Sequence, residues 1–152
     1  MIFSTNSSVP SAHHVNMAVC PSSPSKIFAA YQAGKVGGEY YVMLSISGDG
    51  GETWGEGRVA ARGGGSMWDP VIYCGGDGVL SLFFGLGEVG GERGGDLMVV
   101  RSEDGGLGWG EMTLVMAQGE GVLGGGLLVS VGVGRGGWGG GAEISKRRVT
   151  MA

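Results

Sequence analysis

The sequence repeats itself. Ser47-Gly48-Asp49-Gly50-Gly51-Glu52-Thr53-Trp54-Gly55-Glu56 returns as Ser102-Glu103-Asp104-Gly105-Gly106-Leu107-Gly108-Trp109-Gly110-Glu111, an offset of 55 residues (47 to 102). Seven of the ten positions coincide: Ser, Asp, two Gly, Trp, Gly and Glu. The same offset places Phe28 on Phe83 and Met43 on Met98, and Cys20 answers Cys74 one residue earlier in register. A chain built this way must fold one small unit twice, and such units bury their apolar faces by stacking on each other.

Each unit has the same order of elements. Short apolar runs fall at 15–19, 26–31, 40–46 and 58–61 in the first, and at 70–73, 79–86, 96–101 and 112–116 in the second. Gly, Ser and Asp clusters separate them, as strand boundaries require. No segment holds a 3.6-residue apolar period for three turns, so no helix is expected. The predicted fold class is all-β: a partial β-propeller made of two four-stranded blades and part of a third.

The repeated turn has readable chemistry. Ser and Asp side chains accept hydrogen bonds from nearby backbone N–H groups and so close a turn on themselves. Gly51 and Gly106 supply the positive φ, and Trp54 and Trp109 can then pack over the turn. Ser47, Asp49, Gly51, Thr53 and Trp54 form a complete Ser-x-Asp-x-Gly-x-Thr-Trp pattern. Ser102, Asp104, Gly106 and Trp109 form a second, with Gly108 in the threonine position, so a looser turn is expected there.

This pattern is the Asp box, and the chain resembles the sialidase superfamily in its bacterial-neuraminidase-repeat branch. Trp68-Asp69-Pro70-Val71-Ile72 is similar to the segment that opens a blade in that family, and Ser11-Ala12-His13-His14 to the opening of its first blade. The resemblance implies a six-bladed propeller directed at carbohydrate. At 55 residues per unit a third box would fall near 157 (102 plus 55), past Ala152. The expected organisation is a flexible N-terminus (1–10), Asp-box blades (11–118) and a Gly-rich incomplete third blade with a basic tail (119–152). In an open stack of that kind Phe28, Leu82, Phe83 and Phe84 are expected to be only half covered, which leaves the chain marginal and prone to self-association through open blade edges.

The resemblance also defines what to look for chemically. Sialidases grip a substrate carboxylate with an arginine triad, and add an Asp general acid and a Tyr nucleophile activated by Glu. In the family the first arginine lies on the opening strand. Here that strand reads His13-His14-Val15-Asn16-Met17, and the first arginine in the chain is Arg58. The remaining partners would fall beyond the sequence, so a catalytically incomplete chain is expected, or else a non-catalytic propeller segment that binds glycan or protein, or a truncated product without independent function. Glu39 and Asp69 are the candidate catalytic carboxylates. Each has a plainer alternative, Glu39 as half of a solvated loop pair with Lys35 and Asp69 as a turn residue before Pro70. His13, His14 and Lys35 are candidate ligand contacts. As neighbours on a strand, His13 and His14 are expected to point to opposite faces. Asp49 and Asp104 are read as structural.

Other chemistries fall away. Gly-x-Gly-x-x-Gly occurs at Gly85, at Gly119 and at Gly134, but glycine makes up 36 of 152 residues, so such matches arise by chance. Net charge of −4 lacks the basic footprint of a nucleic-acid binder. No apolar run is long enough for a spanning helix, and no secretory leader is legible. No Cys/His spacing reads as a metal site, and no cofactor is implied. Cys20 and Cys74, at equivalent positions of separate units, are expected to pack as small apolar side chains. A glycan is the candidate partner; nucleic acid and membrane are not.

Overall fold

The computed structural model describes residues 11–91, 95–118, 131–132 and 143–144. Two four-stranded antiparallel sheets account for most of them, with no helix among the described residues. Sheet one runs in the order β1 (Ser11–Cys20), β2 (Ser23–Gly34), β3 (Tyr40–Ser47) and β4 (Arg58–Ala61). Sheet two repeats it with β5 (Ser66–Cys74), β6 (Leu80–Gly87), β7 (Asp96–Ser102) and β8 (Thr113–Met116). A two-residue ladder joins β9 (Val131–Gly132) to β10 (Glu143–Ile144). The rest of the stretch assigned above to a third blade and tail, and all of 1–10, lies outside the described residues.

Both units are simple meanders, because each turn closes neighbouring strands antiparallel. Strand alternation then sorts the side chains. Phe28, Ala30, Val42 and Leu44 share one face of sheet one, and they join Leu80, Leu82, Phe84 and Val100 of sheet two in a single core. The opposite face of sheet one carries Tyr31, Ala33, Tyr41 and Met43, and that of sheet two carries Phe83, Leu97 and Val99.

The 55-residue offset gives this packing a direction. Phe83, Leu97 and Val99 are the equivalents of Phe28, Val42 and Leu44. Leu82, Phe84 and Met98 are the equivalents of Ile27, Ala29 and Met43. Sheet one therefore sets its front against the back of sheet two, and sheet two carries the same front on its far side. This contact is head-to-tail rather than self-complementary.

Two expectations are corrected here. Leu82 and Phe84 are 0% exposed, Phe28 1% and Phe83 5%, so none is half covered. The front-to-back contact buries three of the four between the sheets, and Phe83 is buried in the cluster on the far side. Cys20 and Cys74 do not simply pack; they form a disulfide that joins β1 to β5. Their equivalent places on the opening strands of adjacent units bring the Cα atoms to 5.0 Å, inside the reach of a disulfide.

Candidate functional site

Each sheet has a bulge in its opening strand. In β1 the ladder passes from His13↔Gln32 to Asn16↔Ala30, so His14 and Val15 lie opposite one residue. In β5 it passes from Trp68↔Gly85 to Val71↔Phe83, so Asp69 and Pro70 do the same. His14 and Asp69 are themselves 55 apart, and they are the only non-glycine residues with positive φ among those described, at 50° and 49°. Side chains with a Cβ seldom occupy this region, and bulges that hold them there re-aim a side chain.

The two bulges turn toward each other. His14 Nδ1 lies 3.3 Å from Asp69 Oδ1. One turn of the ladder further on, Ile72 N–H donates to Asn16 Oδ1 at 2.9 Å. With the Cys20–Cys74 disulfide, three cross-links tie the opening strands of the two units along their length.

The bulge also overturns the expectation for the histidines. Regular alternation would have separated them, but the extra residue places their ring centroids 6.2 Å apart, tilted by 52°. The His13 ring meets Tyr40 edge-on at 6.4 Å, and Tyr40 lies 5.0 Å from Trp68. Tyr40 N–H donates to Ser66 Oγ at 3.4 Å, which fixes the start of β3 beside the start of β5. His13, His14, Tyr40, Trp68 and Asp69 thus form one group at one end of the two sheets.

The turn between β2 and β3 stands at the same end. It closes through Gly38 N–H donating to Lys35 O at 2.8 Å, and Lys35 is exposed. Glu39 does not form a loop pair with Lys35: its Oε2 lies 3.3 Å from Nη2 of Arg62. The Arg62 guanidinium also sits 4.9 Å over the Tyr41 ring. Sequence reasoning missed Tyr40, Trp68 and Arg62. Trp68 stood next to Asp69 and Tyr40 next to Glu39, but only the meander brings these neighbours together. Among the described residues no group of three His, Cys, Asp or Glu side chains is placed to hold a metal ion.

The repeated Ser/Asp turns follow β3 and β7, at the far end of both sheets. Ser47 Oγ accepts from Gly51 N–H at 2.8 Å and donates to Asp49 Oδ1 at 2.7 Å. Asp49 accepts from Thr53 N–H at 2.9 Å and from the Thr53 hydroxyl. In the second turn Ser102 Oγ accepts from Gly106 N–H at 2.8 Å, and Asp104 Oδ1 accepts from Leu107 and Gly108 N–H at 2.9 Å. Gly108 costs the turn a hydroxyl bond but leaves the backbone bonds in place. Gly51 and Gly106 hold φ of 97° and 88°. At Gly106 a Cβ would also meet Leu44 Cδ2 at 2.5 Å, because this turn docks on sheet one. Trp54 Nε1–H donates to Gly51 O at 3.1 Å, and Trp109 packs against the main core.

These bonds are made to charged carboxylates and favour the ionised form. The Thr53 hydroxyl first, then Thr53 N–H and the Ser47 hydroxyl, lower Asp49 from 3.8 to about 2. Gly108 N–H, followed by the Ser102 hydroxyl, lowers Asp104. The sign of the consequence is fixed. A folded-state value below the unfolded one adds stability above the unfolded pKa and loses it as pH falls toward the folded pKa. The urea midpoint of the wild type should fall between about pH 5 and pH 2. Asp49→Asn should remove part of that fall, since an amide does not titrate. Parallel midpoint-against-pH curves for the two proteins would contradict this account of the turn.

No family description and no curated protein matches the sequence. Among solved structures the chain is similar to "Hadza microbial sialidase Hz136", with a TM-score of 0.56 and 18% identity. The match covers 68% of this chain and 26% of that one, so the chain spans about a quarter of that sialidase's length. At this identity the likeness is one of fold: two antiparallel four-stranded sheets arranged as in a sialidase.

Proposed function

We propose that the chain supplies two Asp-box blades of a sialidase-like propeller, that its bulged end is directed at carbohydrate, and that it does not hydrolyse sialosides. The front-to-back contact carries this reading. Head-to-tail interfaces propagate in one direction and close into rings when the rotation per unit allows. Opening strands that sit side by side and point their bulged residues at each other are the arrangement such a ring needs around its axis. The similarity to a sialidase structure supports the same assignment.

β1 carries no arginine, and Arg62 is engaged by Glu39 at 3.3 Å. Asp69 is held by His14 at 3.3 Å. A fluorogenic sialoside should therefore show no turnover above background at high protein concentration. Turnover that disappears in Glu39→Gln would contradict this and make Glu39 the general acid.

A second reading, a non-catalytic segment that binds protein, draws on the stripe of exposed Val15, Met17 and Val19 on β1. Exposed apolar stripes on strands are docking surfaces when they are contiguous. A triple Ser variant of these positions separates the readings: it should leave glycan binding unchanged and remove protein binding.

A further inference from the structure

We propose that the bulged end takes an uncharged pyranose, not an anionic sugar, through Tyr40, Trp68, His13 and Gln32. The inference rests on the carbohydrate reading above and narrows its ligand class.

Charge comes first. A sugar carboxylate is recognised by guanidinium donors that are free to fork onto both its oxygens. Among the described residues, the guanidinium at this end is engaged by Glu39 and stacked on Tyr41. The ring of His14 is engaged by Asp69. Lys35 offers a single point charge on a flexible stem, which cannot make the fork. An arriving carboxylate would also face the carboxylates of Glu39 and Asp69, and like charges raise its cost.

Two buried polar atoms point the same way. Gln32 is 2% exposed, and its Oε1 has no hydrogen-bond partner. Trp68 Nε1 is likewise buried without one. Buried polar groups are nearly always satisfied, so a ligand whose approach opens and completes both is favoured. Gln32 stands opposite His13 in the β1–β2 register, on the strand face that His13 shares, while Trp68 belongs to the aromatic group itself. One orphan is an acceptor and the other a donor. A sugar hydroxyl both donates and accepts and can serve either, whereas a carboxylate only accepts and would be repelled by the Gln32 oxygen.

Tyr40 and Trp68 are half-buried, 5.0 Å apart and tilted by 48°, with the edge of His13 beside them. A pyranose presents a face of C–H groups and a rim of hydroxyls, and aromatic side chains with polar tips match both.

The test titrates the whole chain with lactose, cellobiose and 3′-sialyllactose by calorimetry and saturation-transfer NMR. A neutral disaccharide should bind, sialyllactose should bind no tighter, and the affinity should not change with added salt, since no ion pair is formed. Trp68→Phe keeps a ring but removes the N–H, and should weaken neutral binding at least tenfold. Gln32→Leu should weaken it similarly while the melting temperature holds or rises, because an unsatisfied acceptor has been replaced by an apolar group. Sialyllactose at least tenfold tighter than lactose, or wild-type affinity in both variants, would overturn the inference and leave the carbohydrate reading standing. No saccharide binding at millimolar concentration would overturn both.

Discussion

Reducing the Cys20–Cys74 disulfide, or replacing both residues with Ser, should cost about 4 kcal/mol of stability. The figure follows from the 54-residue separation, which a cross-link removes from the freedom of the unfolded chain. It is a large share of the roughly 5–15 kcal/mol available to a domain. Both side chains are buried, at 5% and 2% exposure, so reductant should act slowly on the folded protein and faster once urea opens it. The measurement is a urea unfolding curve with and without reductant, repeated on the double Ser variant. A midpoint unchanged in both would show that the hydrogen bonds and core of the opening strands already hold the two sheets together.

Phe84→Ala should destabilise by about 3–5 kcal/mol. Phe84 is fully buried and lies on the face of sheet two that meets sheet one, so the cavity would open between the units rather than at a rim. Its equivalent in unit one, Ala29, is already small and sits on the opposite side of that sheet. The asymmetry makes a control. Met17→Ser, on the exposed side of β1, should change stability by no more than about 0.5 kcal/mol. Equal losses from the two changes would mean that the sheets do not pack front to back in solution.

The repeat made most of the fold legible. Eight short apolar runs between Gly/Ser/Asp clusters are the eight long strands, and the unit order matches the sheet order. The Ser/Asp turns were also readable, because their hydrogen bonds are local and span at most four residues. What stayed hidden was non-local. Alternation assigns His13 and His14 to opposite faces, and only an extra residue in the β1–β2 ladder, invisible in composition, moves their rings together. The disulfide required knowing that the opening strands of successive units lie side by side. The burial of Phe28 and Phe84 required the direction of stacking, since of two equivalent positions only one faces the shared core.

The contact between His14 and Asp69 joins two copies of one position. Identical copies could not make it, since they would set His against His or Asp against Asp, and the second of these is repulsive. The bond exists because the copies differ. Idealising the two units to a common consensus, a usual route to stable repeat proteins, would therefore erase a link between them while improving each unit taken singly.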